Sequence, residues 1–287
     1  MNKKQRNIRN RLLVFFIGIP SLFALLVGLP HYNHAAMALI AIVVSSVATV
    51  ELSQLFHDDF TNFPGRTYII PALGAAMPAL WYLEGSGYIP VNTAITAAIG
   101  IIAGILGLQA FRRNPAVFPH IKSLVSTLIM LLLYPGLFLA YLIRIGTLPM
   151  SSHLLVLFVI TVYLNDSAAY AGGMLFGKGN GGLLPISPNK SIAGFISGLF
   201  ASVLVMTSAS LLYVDLFPRG TLVAAFFGLC IGCIAIIGDL AESAIKRSAA
   251  QKDSGSIIPG RGGLLDSIDS LAFAAPFFYY GYRFLFL

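Results

Sequence analysis

The sequence predicts an all-α, polytopic integral membrane protein of about nine transmembrane helices, and three observations lead there. Hydrophobic residues make up 57% of the 287-residue chain and charged residues 10%, with a mean hydropathy of +0.84, far more apolar than a water-soluble core of this size requires. Apolar runs close to the length that crosses about 30 Å of hydrocarbon recur from end to end. No stretch between them is long enough for a separate soluble domain, so 1–287 reads as one transmembrane domain.

Taken in order, the expected spans are 12–29, 35–56, 67–83, 91–110, 124–143, 154–176, 192–214, 222–245 and 268–286. The first follows a basic leader. It has no small-residue cleavage site and further spans follow, so it reads as a retained anchor. The third contains Pro71 and Pro78, which bend or interrupt helices. A spanning backbone must still satisfy its own hydrogen bonds, so helix remains the expectation. The eighth carries Cys230 and Cys233; without a second ligand pair, in an apolar helix, they read as small packing residues.

Orientation follows from the basic residues. With a cytoplasmic N-terminus, every Lys and Arg falls on that side except Arg144, Arg219 and Arg283, a positive-inside imbalance that also supports an odd number of spans. It accounts for the net charge of +7. For the N-terminal cluster, anionic lipid headgroups are the expected partner, and nucleic acid is not expected.

Two cytoplasmic loops are rich in glycine: GKGNGGLLPISPNK at 177–190 and SAAQKDSGSIIPGRGGLLD at 248–266. Glycines let backbone N–H groups approach an anion and the lysines add charge, which suits a phosphate-rich ligand. Plain connectors share that composition. The acids narrow the choice. Asp166, Asp239, Glu242, Asp266 and Asp269 lie in or at the cytoplasmic ends of expected helices, with Asp253 in the loop between the last two. An ionised group there is costly unless paired or bound to a cation.

Asp239, Glu242, Ser243, Lys246 and Arg247 fall at offsets of 0, 3, 4, 7 and 8 along one helical face, and Asp266, Asp269 and Ser270 are stacked likewise. Oxygen ligands without a histidine cluster favour Mg²⁺. Acids that hold Mg²⁺ beside Lys and Arg that hold phosphate oxygens suit transfer at phosphorus. Salt bridges between Asp239 or Glu242 and Lys246 or Arg247 are the alternative for any one pair. An ion-coupled transporter also uses intramembrane acids, but it predicts them near the midplane, whereas these gather at one interface.

The segment 238–270, GDLAESAIKRSAAQKDSGSIIPGRGGLLDSIDS, resembles the signature of the phosphatidate cytidylyltransferases, or CDP-diacylglycerol synthases: S-x-x-K-R-x4-K-D, then P-G-H-G-G, then D-R-x-D. The matches are Ser243, Lys246, Arg247, Lys252, Asp253, Pro259, Gly260, Gly262, Gly263, Asp266 and Asp269. Upstream, NDSAAY at 165–170, FGK at 176–178 and SPNKS at 187–191 resemble further family elements. The likeness covers about the C-terminal 130 residues; the N-terminal spans match in hydropathy alone. Arg261 stands in place of histidine, Ser267 in place of arginine, Ala193 in place of an acid and Ser167 in place of threonine. Arg261 is expected to take over a phosphate contact.

The resemblance implies transfer of CMP from CTP to phosphatidate, giving CDP-diacylglycerol and pyrophosphate, with Mg²⁺ required and room for a monovalent cation such as K⁺. It makes 1–150 a membrane scaffold and 151–287 the catalytic helices and loops. It implies Asp239, Ser243, Lys246, Arg247, Asp266 and Asp269 as catalytic, with Asp239, Asp266 and Asp269 on the metal. It implies Asp166, Ser187, Pro188, Asn189, Lys190, Lys252, Asp253, Arg261, Gly262 and Gly263 as substrate-binding. A homodimer in a bacterial inner membrane, with its site facing the cytoplasm, completes the expectation. A related enzyme using CTP on a polyprenol or another lipid, and a catalytically silent homologue, are the readings that compete with it.

Overall fold

The computed structural model describes residues 24, 28–56, 65–113, 115–179, 181–182, 184–258 and 262–287. The expected first span, 12–29, lies outside them but for Ala24, Gly28 and Leu29, and so does Arg261. Helices at the other eight expected positions make the protein all-α. Six helical stretches, His31–Leu55, Thr93–Ala110, Phe118–Ile145, Ser151–Phe176, Ile192–Leu212 and Thr221–Ser248, are long and apolar enough to cross a membrane. The full number of nine is not established by these residues. The chain divides into two compact units, one of residues 1–147 with 253–265, the other of 148–252 with 266–287.

In the N-terminal unit, α1 (His31–Leu55) opens with three left-handed residues, Tyr32, Asn33 and His34. The right-handed helix therefore starts at Ala35, where the apolar run begins. α2 (Arg66–Gly85) runs unbroken through both prolines. Pro78 has no N–H to offer the Gly74 carbonyl, and the Ser45 hydroxyl supplies the missing donor at 2.7 Å, sharing its proton with the Pro135 carbonyl at 2.6 Å. Ser46 also donates to the Pro71 carbonyl of α2, at 3.0 Å.

α3 (Thr93–Ala110) buries Ala94, Ala98 and Ile105 and turns most of its other side chains outward, as a lipid-facing helix does. Its first turn is capped by Glu84, which accepts the Ala94 N–H at 3.0 Å, faces Arg144 at 3.6 Å and thus lies within a helix end that the sequence left outside its span.

The fifth expected span is not a plain helix. α4 (Ile121–Leu131) and α5 (Leu139–Ile145) are joined by a π-helical turn, Leu132–Phe138, around Pro135. The lost N–H widens the turn there, and Gly136 lets the backbone approach α2, since a Cβ on it would stand 3.3 Å from the Leu73 carbonyl.

The second unit holds α6 (Ser151–Phe176), α7 (Ile192–Leu212), α8 (Thr221–Ser248) and α9 (Leu265–Phe286), whose first residue groups with the N-terminal unit. Glycines set the close approach of α6, α7 and α8. A Cβ on Gly198 would meet the Asn165 carbonyl at 2.9 Å, and one on Gly232 would meet Ser202 Oγ at 2.7 Å and Asn165 Nδ2 at 2.8 Å. Asn165 donates to Ser202 Oγ at 2.8 Å, so one buried hydrogen bond sits where the three helices meet. At the other end, Phe158, Phe227, Phe278 and Tyr282 form an aromatic core with Phe158–Phe278 and Phe227–Phe278 centroids 4.9 and 5.2 Å apart.

Gly232→Val is therefore expected to cost about 1–3 kcal/mol by overpacking. A thermal midpoint in detergent unchanged from the parent would contradict this reading of the junction.

Candidate active site

α8 begins within a residue of its expected start but continues to Ser248, so Lys246 and Arg247 occupy its last turn, where cations complement the helix dipole. α9 starts at Leu265 rather than at Ile268, which brings Asp266 into a helical first turn, the end of a helix that favours an acid. Both shifts lengthen the helices toward the polar loops.

The SPNK stretch is a turn. Ser187 accepts the Lys190 N–H at 3.1 Å, with Pro188 at the second position as such turns prefer. Ser191 then caps α7, its hydroxyl accepting the Gly194 N–H at 3.1 Å. A residue held on the last step of a turn, just before a capped helix, has a fixed direction. Lys190 uses it to ion-pair with Asp239 Oδ2.

A cavity of about 400 Å³ opens beside this pair. It is lined by Asn165, Asp166, Ala169, Tyr170, Gly173, Asn189, Lys190, Gly194, Phe195, Ile236 and Asp239, among others. Four residues expected at the site, Asp166, Asn189, Lys190 and Asp239, thus meet around one space although they come from α6, the turn and α8. Its size is within the range of small-molecule pockets.

Two turns further along α8, about 10 Å along the axis, Lys246 forms a second centre. Its ammonium ion-pairs with Glu242, one turn back, and stands 2.5 Å from Asp266 Oδ1. Glu242 is wholly buried, and its Oε1 finds no hydrogen-bond donor among the described residues. Asp269 is also buried; its Oδ1 accepts the Ser270 N–H at 2.6 Å, and the charges of Asp239, Lys190 and Lys246 all act on it. The two centres are therefore one electrostatic network.

Among the remaining expected residues, Ser243 Oγ is 3.5 Å from Asp239 Oδ1, at the limit of a hydrogen bond. Arg247 is exposed and donates to the Gln251 carbonyl at 3.4 Å. Ser187 is half-buried, while Pro188 and Lys252 are exposed.

The loop 253–265 groups with the N-terminal unit. There Asp253 is exposed, Gly262 has a φ of +111° and pairs with Ile258 in an isolated bridge, and Gly263 is buried.

The sequence reading passed over Glu242 as a site residue although it shares the Asp239 face, and it left Asn165 unassigned inside NDSAAY. In both cases a polar side chain inside an apolar helix was the available signal.

Among the described residues no three His, Cys, Asp or Glu side chains converge as an ion cage. Mg²⁺ does not need one, since it keeps waters and takes one or two carboxylates together with substrate phosphates. The network has that character: Asp239, Glu242 and Asp266 face the ammonium groups of Lys190 and Lys246, Asp269 lies buried one turn beyond Asp266, and Glu242 retains an oxygen with no hydrogen-bond partner among the described residues. The donor set fits a hard divalent cation.

Fold and site together define a polytopic helical membrane protein whose acids and lysines gather where its polar loops join the helices. The family model described as the cytidylyltransferase family matches residues 9–285, and the chain belongs to that family. The phosphatidate cytidylyltransferase of Staphylococcus aureus (strain COL) is 30% identical over 259 residues, covering 90% of this chain and 95% of the relative. That of Helicobacter pylori (strain ATCC 700392 / 26695) is 31% identical over 186 residues, 65% of this chain and 63% of the relative. A protein of Escherichia coli (strain K12) called uncharacterized protein YnbB is 41% identical over 133 residues, 46% and 43% of the two chains. The match extends well upstream of the segment whose motifs carry the resemblance.

Proposed function

We propose that this chain is a phosphatidate cytidylyltransferase, which transfers CMP from CTP to phosphatidate at the cytoplasmic face of a bacterial inner membrane. The observation that carries the reading is the single cavity that unites Asp166, Asn189, Lys190 and Asp239 in a chain whose cytidylyltransferase match spans residues 9–285. A phosphatidate oxygen attacks the α-phosphorus of CTP, a new P–O bond forms, and the bond to the β-phosphate breaks, so that pyrophosphate leaves with both electrons of that bond. No covalent enzyme intermediate and no proton transfer are required.

Lys190, presented by its turn, binds triphosphate oxygens, and Asp239 orients Lys190 through their ion pair. Lys246 holds Asp266 in place from one side and Glu242 from the other. Arg247, Lys252 and Arg261 supply further cationic contacts to phosphate, where arginine offers a two-pronged donor. Asp239, Asp266 and Asp269 are the residues we assign to Mg²⁺. When bound, that ion offsets charge on the triphosphate. The assignment of a homodimer, and of a monovalent cation beside Mg²⁺, rests on the family resemblance.

Lys190→Ala is expected to raise KM for CTP about tenfold, the equivalent of one charge-assisted hydrogen bond. Steady-state kinetics in mixed micelles check this, and an unchanged KM would remove Lys190 from the triphosphate. The function itself is tested by pyrophosphate release from purified protein supplied with CTP. Release that requires phosphatidate supports it. Release that instead requires a polyprenol, or none with either lipid, counts against it.

A further inference from the structure

We infer that Glu51, in the scaffold helix α1, is a positioning residue for the reaction: it clamps the glycine loop that leads into Asp266. The inference rests on the function proposed above. Glu51 is 2% exposed and lies one turn from the end of α1. Both of its oxygens are engaged by main chain far away in sequence. Oε1 accepts the Leu264 N–H at 3.0 Å and Oε2 accepts the Leu265 N–H at 2.8 Å.

Those amides open α9, and the first N–H groups of a helix have no partner within it. A carboxylate there satisfies two of them and complements the positive end of the helix dipole. α9 thus takes its cap from a side chain 213 residues before Leu264.

Two glycines make room for the carboxylate. A Cβ on Gly255 would stand 2.5 Å from Glu51 Oε1, and one on Gly263 would stand 2.7 Å from Oε2 and 2.2 Å from Ser254 Oγ. Ser254 is itself buried. Gly263, expected from the sequence to approach substrate, therefore has the place of its missing side chain filled by Glu51. The Ile258–Gly262 bridge closes the loop just before this point, with N···O distances of 2.8 and 3.1 Å.

The consequence for chemistry follows from helix geometry. Asp266 is the next residue after Leu265, and Asp269 follows one turn on. A slip of one residue where α9 begins would turn both acids by about 100° about the axis. Pinning two successive amides with one rigid carboxylate fixes that register, which a cap with a single acceptor does not do. A buried acid in an apolar helix is costly, and a clamp of this kind supplies a reason for it.

The test uses the full-length protein in detergent, with Glu51→Gln as the main variant and Glu51→Asp and Glu51→Ala beside it. Amide exchange over residues 262–266 needs no activity; it is expected to quicken about tenfold or more in Glu51→Gln, which keeps one acceptor oxygen in place of two. CMP transfer is expected to lose about tenfold or more in kcat per folded molecule, with KM for CTP held within about twofold, and Glu51→Asp is expected to recover part of the loss.

Unchanged exchange in Glu51→Gln would overturn the clamp. Faster exchange with unaltered kcat, or a loss matched by the loss of folded protein, would leave Glu51 a structural anchor and overturn its positioning role. Parent protein that transfers no CMP would refute the proposed function, while the exchange result would still decide the clamp.

Discussion

Lys246→Met is expected to destabilise the protein more than any other single change at the site, by roughly 3–5 kcal/mol, and to leave no measurable CMP transfer. The Lys246 ammonium is the shared partner of Glu242 and Asp266, and their side chains are 12%, 0% and 7% exposed. Removing it takes their shared ammonium away from the wholly buried Glu242 and from Asp266, in a network that Asp269 also enters. Total stabilities are only about 5–15 kcal/mol, so the loss is large on that scale.

Two companion variants separate the causes. Lys246→Arg keeps the charge and is expected to fold. Lys246→Met combined with Glu242→Gln removes one stranded charge and is expected to recover part of the stability but none of the activity, a coupling that a double-mutant cycle reads directly. Thermal midpoints in detergent, with exposed Arg219→Ala as the reference, decide the matter. A Lys246→Met midpoint equal to the reference would show that the buried network does not hold the helix ends together.

Asp239→Asn is the second large effect. Asp239 lines the cavity, receives Lys190 on one oxygen and approaches Ser243 with the other. The amide keeps shape and removes charge, so folding is expected to persist while transfer falls by on the order of 10²–10³-fold, the scale seen when one preorganised electrostatic contact to a reacting centre is lost. Because Lys190 loses its orienting partner, KM for CTP should rise together with the fall in kcat. Asp215→Asn, on an exposed turn, serves as the control. Kinetics of Asp239→Asn within twofold of the parent would remove this residue from both proposed roles.

What the sequence disclosed and what it withheld divide along a physical line. Helix positions were legible because lipid imposes long apolar runs, and even α2, with two internal prolines, followed from the demand that a spanning backbone satisfy itself. The means were not legible: Ser45, a small polar residue in α1, donates to the carbonyl that Pro78 leaves unbonded. The π-helical turn at Leu132–Phe138 was also hidden, because Pro135 signals a disturbance and not its form.

At the site, the α8 face from Asp239 to Arg247 could be read from helical spacing, and the structure adds that Arg247 donates to the Gln251 carbonyl while Glu242 is buried. Periodicity records which residues share a helix; it says nothing about which distant segments meet. Thus Lys190 could be marked as a phosphate ligand but not as the partner of Asp239, and Glu51, an acid one turn from the end of α1, gave no sign of the Leu264 and Leu265 amides. An unexplained acid in an apolar helix was the one clue to that contact.

The central claim is that CMP, and not a terminal phosphate, moves from CTP to phosphatidate at this site. Its most direct test is the fate of label when purified protein in phosphatidate micelles receives CTP labelled at the α-phosphorus or at the γ-phosphorus. The account predicts that only the α-label enters lipid, that the γ-label leaves as pyrophosphate, and that Asp266→Asn or removal of Mg²⁺ abolishes the transfer. Label entering lipid from the γ-position, or no label in lipid from folded protein, would contradict it.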